Sequence, residues 1–167
     1  MNILILGSGI VGANLAKKLS EQGKNVFLID DNSEELKSLS EKYDIKTFNN
    51  DPLDPSFYKN FKTEIDYFIA VTRIDEKNII TCKFAKDFLK VKKTIARIRN
   101  QNLINESQDE NFKKNYQFLD FVISPENEVS NNIFEKIHMP GCFFSEKLVS
   151  DELLLIGLKS SDRSEER

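Results

Sequence analysis

Six residues near the start of the chain, Gly7-Ser8-Gly9-Ile10-Val11-Gly12, have the spacing G-x-G-x-x-G. Three glycines so placed suit a phosphate. The first makes a tight turn, and the second lets main chain approach a pyrophosphate with no side chain in the way. The third lets a helix pack close to a sheet. The chemistry implied is anion binding, because a helix amino terminus offers unpaired N–H groups and positive potential to the phosphates. Asp30 follows Gly12 by 18 residues, where a carboxylate can accept hydrogen bonds from adenosine ribose hydroxyls. Asp31 stands beside it and no arginine follows, so a 2′-phosphate would be repelled. The expected ligand is NAD(H) or an adenine nucleotide, ATP or ADP, rather than NADP(H).

Two other groups of residues have types that suit the same ligand. Thr72, in Thr72-Arg73-Ile74-Asp75-Glu76-Lys77-Asn78, offers a hydroxyl at the end of an apolar run. Asp75 either caps the next helix or touches ligand. Arg97 and Arg99 alternate along one apolar run and are expected to point the same way. Two cations on an otherwise buried strand need partners: a nucleotide phosphate, or structural carboxylates. The single histidine, His138, reads as a packing or surface residue. Cys82 reads as core, and Cys142 as an exposed thiol with nothing nearby to activate it. Two cysteines cannot make a four-ligand zinc site or a disulfide framework, so neither a metal site nor a catalytic residue is expected.

These residues must be positioned by short strands alternating with helices. Runs at residues 3–6, 26–29, 45–48, 67–71, 94–99 and 121–123 read as strands, and the solidly apolar ones, such as Ile3-Leu4-Ile5-Leu6, are the signal of burial on both faces. Helical spacing appears at residues 10–22, after Asn32-Ser33-Glu34-Glu35 (a capping-box pattern), around Phe57, Tyr58 and Phe61, and after Asp75. Strands separated by helices form a parallel sheet with right-handed crossovers. The fold class expected is therefore α/β, a Rossmann-like doubly wound parallel sheet of about six strands. A dimerisation helix and a β-hairpin follow it. The boundaries are 1–124 for the nucleotide-binding domain, 125–139 for the helix and 140–159 for an incomplete carboxyl-terminal subdomain. Residues 160–167, a tail without apolar residues, are expected to be disordered.

Composition narrows the function. With 167 residues, 40% hydrophobic and 31% charged, the chain can build one ordinary core. A net charge of −3 argues against a globally basic nucleic-acid binder. No apolar run approaches a membrane span, and the amino terminus lacks the basic region and cleavage site of a signal peptide. Cytoplasmic residence is the expectation.

Taken together, the glycine loop of residues 1–12, Ala70-Val71-Thr72 with Asp75-Glu76 and Asn78, Ile95-Ala96-Arg97-Ile98-Arg99, Ile123-Ser124-Pro125-Glu126 and Pro140-Gly141 resemble the TrkA family. Its members are nucleotide-binding subunits of Trk potassium uptake systems, with RCK (KTN) domains. The resemblance covers about residues 1–159. It implies that Gly7 to Val11 and Gly12 form the phosphate loop, that Asp30 holds ribose and Asp51 lies beside adenine. It further implies that Thr72 and Arg73 line the site and Arg97 reaches phosphate. Asn50 stands where relatives usually have glycine before the position of Asp51. It also implies a non-enzymatic regulatory subunit that gates a Trk-type potassium-translocating membrane subunit. Such a subunit would be a homodimer or higher homo-oligomer, peripheral at the inner face of the membrane through that partner. The alternatives are an NAD-dependent oxidoreductase fragment and a Rossmann redox sensor.

Overall fold

The computed structural model describes residues 1–100, 102–103, 116–138, 142–148 and 153–158. It divides into two units, Met1–Ser124 and Pro125–Arg167. The first unit runs β1 (Asn2–Leu6), α1 (Ile10–Glu21), β2 (Asn25–Asp30), α2 (Ser33–Lys42), β3 (Ile45–Asn49), α3 (Pro55–Asn60) and β4 (Tyr67–Ala70). It continues with α4 (Asp75–Phe84), which passes into a π-helical turn at Ala85–Leu89, then β5 (Lys93–Arg97) and β6 (Phe121–Ile123).

The six strands form one parallel sheet in the order β3-β2-β1-β4-β5-β6. This is the doubly wound Rossmann arrangement, as the alternation of runs predicts. β1 is central, and Ile3, Leu4, Ile5 and Leu6 are each no more than 2% exposed, so both faces are covered. One face packs Leu4, Leu6, Phe27, Phe68 and Ala96 with Tyr58 of α3 and Cys82 of α4. The other packs Ile3, Ile5, Val26 and Leu28 with Ala16 of α1 and Leu36 of α2. The first two crossovers, α1 and α2, therefore lie on one side of the sheet and the next two, α3 and α4, on the other, and strand order reverses between β1 and β4. At that reversal the loops leaving the two strands diverge and open a crevice at their carboxyl ends.

Several expectations need correction. β5 ends at Arg97, so Arg99 lies in the following loop rather than on the strand. α4 begins at Asp75 and buries Cys82, as expected, and it also buries two polar residues, Asn78 and Thr81. Its amino-terminal cap is Ile74 and makes no side-chain hydrogen bond, so Asp75 does not cap it.

In the second unit α5 spans Pro125–His138. β7 (Cys142–Leu148) and β8 (Leu153–Leu158) form the antiparallel hairpin that the sequence suggests. Pro140-Gly141, the turn at Ser150-Asp151 and the tail at 160–167 lie outside the described residues, as do the side chains of His138 and Cys142.

Candidate functional site

The glycine loop leaves β1 at Gly7, whose φ of +108° few other residues adopt. A Cβ there would meet the Thr72 nitrogen at 3.3 Å. At Gly12 the constraint is space: a Cβ would sit 1.7 Å from the Gly7 carbonyl oxygen. Only glycine allows α1 to start this close to the end of β1. Gly9 is different. A Cβ there meets nothing within 4 Å, and the residue lines an open cleft of about 530 Å³ with Gly7, Ile10 and Val11. Gly9 is also the amino-terminal cap of α1 and brings no side-chain acceptor. The helix terminus is thus uncapped where a phosphate would lie.

Asp30, at the end of β2, forms the adjoining wall. Its carboxylate accepts the Ser8 N–H at 2.5 Å and the Asn32 N–H at 3.1 Å. Burial pushes its pKa up, but these main-chain donors outweigh burial and hold it below the ordinary carboxylate value. Ser8 is buried, and its hydroxyl donates to Glu35 at 2.8 Å. The Asn32 side chain caps α2 through the N–H groups of Glu34 and Glu35. Only half of the predicted capping box forms, because Glu35 turns to Ser8 and the Asn32 N–H is already given to Asp30.

Across the cleft lie Thr72, Arg73, Ile74, Lys77, Arg97 and Arg99. The Thr72 hydroxyl donates to Asn78 Oδ1 at 2.6 Å, and the Thr72 N–H reaches the same oxygen at 3.0 Å. Much of what Thr72 offers is therefore spent inside the wall. Asp75 accepts the N–H groups of Arg99 and Asn100, at 2.9 and 2.8 Å, which makes it a tie between α4 and the loop after β5. Among the described residues no acceptor reaches the buried Nε of Arg97. Lys77, only 19% exposed, reaches from α4 to Asp31 on the acidic side, at 3.7 Å.

The fold therefore gathers Gly7, Gly9, Ile10, Val11, Asp30, Thr72, Arg73 and Arg97 around one cleft. Ser8 and Gly12 support it from behind. Asp51 is not among its lining residues; its carboxylate accepts the Leu53 N–H at 2.9 Å and closes a turn before α3. Sequence reasoning did not assign Glu35 or Lys77 to the cleft, nor Asn78 behind it. Their contacts cross between elements, and only their position just past a strand end hints at them. The cleft is electrostatically divided, with Asp30, Asp31 and Glu35 on one side and Arg73, Lys77, Arg97 and Arg99 on the other. That division matches a ligand with hydroxyls at one end and phosphates beyond. The residues fit an adenine nucleotide: open space over Gly9, an ionised carboxylate, and a buried guanidinium nitrogen that no acceptor among the described residues reaches.

Comparison with known proteins agrees with this geometry. The TrkA-N domain family matches residues 3–125. The chain is 31% identical over 161 residues to the Trk system potassium uptake protein TrkA of Haemophilus influenzae, covering 96% of this chain and 35% of that protein. It thus spans about a third of that relative's length. Among solved structures, the TrkA-N domain of the inner membrane protein ybaL from Escherichia coli aligns with a TM-score of 0.67 at 16% identity, over 80% of this chain and 94% of that one. A GsuK channel bound to NAD aligns with a TM-score of 0.64 at 17% identity, over 89% of this chain and 25% of that one. Both share the fold. On the family match and the sheet order together, the chain belongs to the TrkA-N domain family.

Proposed function

We propose that the cleft binds NAD(H), or ATP or ADP, and that the chain regulates a partner rather than catalysing a reaction. The observation that carries this reading is that the ionised Asp30 and the Arg97 Nε, which no acceptor among the described residues reaches, line the same cleft, with open space at Gly9. In this reading Asp30 holds the ribose, the amino terminus of α1 takes the pyrophosphate and Arg97 a phosphate oxygen. Thr72 and Arg73 complete the wall. When bound, the nucleotide supplies charge and shape. The protein can respond only if two of its conformations bind that nucleotide with different affinity.

The partner we propose is a Trk-type potassium-translocating membrane subunit, contacted from the cytoplasmic side. The support is the name of the Haemophilus relative. Among the described residues no helix is long and apolar enough to cross a membrane, so this part of the protein would act through contact. Assembly into a homodimer or larger homo-oligomer through α5 belongs to the same proposal. The test is potassium uptake by cells carrying such a subunit and this protein, with or without Asp30→Ala. Uptake that depends on this protein and is altered by Asp30→Ala is expected. Uptake indifferent to the protein would overturn the regulatory role.

A further inference from the structure

The first turn of α4 reaches both walls of the cleft. Asn78 is completely buried there. Its Oδ1 accepts the N–H and the hydroxyl of Thr72, and its Nδ2 donates to the Thr72 carbonyl at 3.1 Å and to the Arg97 carbonyl at 2.8 Å. The amide's two donors and two acceptor sites are all used. The β4–β5 ladder ends at the pair Ala70–Ala96. Arg97 lies one residue past that pair, beyond the end of β4 at Ala70, so the ladder gives its carbonyl no partner on β4. Asn78 supplies that partner and bridges the gap. Three residues earlier on the same helix face, Asp75 fixes the main chain at Arg99 and Asn100.

We infer that Asn78 is a positioning residue of the nucleotide site: by tying the exit of β5 to that of β4 it sets where Arg97 presents its guanidinium to phosphate. The inference rests on the nucleotide reading above. Arginine has a long side chain with much rotational freedom, and an anchored main chain limits the volume its tip can search. Affinity for a phosphate is gained mainly by removing that freedom before binding. A fully satisfied buried amide suits this task, because any displacement of either strand exit leaves one of its polar groups unpaired.

The test is a double-mutant cycle read by calorimetric titration of ADP into wild type, Asn78→Ala, Arg97→Gln and the double variant. Asn78→Ala is expected to weaken ADP binding about tenfold when Arg97 is present, and to change it less than about twofold in the Arg97→Gln background. A role confined to stability predicts the same loss in both backgrounds. That result, or no loss in either, would overturn the inference. If the alanine variant does not fold, Asn78→Asp replaces it in the cycle. That variant keeps the side chain's size and its acceptor for Thr72 but loses the donations to the Thr72 and Arg97 carbonyls. Wild type that binds neither ADP nor NADH would overturn the nucleotide reading and this inference with it. Wild type that binds ADP with an additive cycle overturns this inference alone.

Discussion

Because Asp30 already accepts two main-chain N–H groups, removing its carboxylate acts on the fold as well as on a ligand. Asp30→Ala is expected to cost about 1–3 kcal/mol of NADH binding through the lost charge-assisted hydrogen bond, measured by calorimetry. Its folded pKa is lowered. It therefore contributes stability at pH values above its unfolded pKa, about 3.9, and that contribution is lost as pH falls through the folded value. Acid unfolding of Asp30→Ala should be correspondingly less steep. At this scale the glycines and Asp30 were legible, because each answers a local demand: a positive φ at Gly7, a close approach at Gly12, a strand end at Asp30. Asn78, Lys77 and Glu35 were not. Asn78 meets Arg97 across 19 residues and Glu35 meets Ser8 across 27, and no local pattern encodes such meetings.

Between elements, Asp120 does at the opposite end of the sheet what Asn78 does at the cleft. It accepts the Thr94 N–H at 2.8 Å and pairs with Lys86 of the π-helical turn at 2.8 Å and Lys93 of β5 at 3.0 Å. The Thr94 hydroxyl in turn donates to the Phe118 carbonyl. Partial burial pushes the Asp120 carboxyl up, but the lysines and the Thr94 N–H prevail and bring it down to about 2. The depressed value means that its stabilisation is present above about pH 4 and disappears as pH falls towards 2. Asp120→Asn should lose about 2 kcal/mol at neutral pH and show no such loss between pH 4 and 2, as urea midpoints across that range would show. Equal acid sensitivity in both proteins would refute the role. The solid apolar runs of β1, β2 and β4 are the most legible, since they have no alternative to burial on two faces, whereas the edge strands β3 and β6 are partly exposed. In α4, Cys82 is core as its apolar spacing predicts, whereas the buried Asn78 and Thr81 are polar and apolar spacing does not mark them. Sequence reasoning overran β5 because Ile98, only 1% exposed, continues the apolar alternation past the last ladder pair at Arg97.

For the whole molecule, α5 carries the proposal of self-association. Val129, Ile133, Phe134 and Ile137 are each more than half exposed. Single exposed apolar residues are ordinary, whereas four on one helix of 14 residues mark a surface that gains by being covered. Light scattering at tens of micromolar should give at least a dimer mass, and Ile133→Lys should shift it towards monomer. A monomer mass for the wild type would contradict the proposal.

In the proposed reading an adenine nucleotide lies in the crevice at the end of β1, over Gly9. Calorimetric titration of NADH into wild type and Gly9→Val tests it most directly. A Cβ at Gly9 has no heavy atom within 4 Å beyond its chain neighbours, so Gly9→Val should keep its melting temperature while its side chain fills the volume a phosphate needs. Saturable binding near one NADH per chain in the wild type, and none in a folded Gly9→Val, is the predicted result. Equal NADH affinity in the two folded proteins would contradict it.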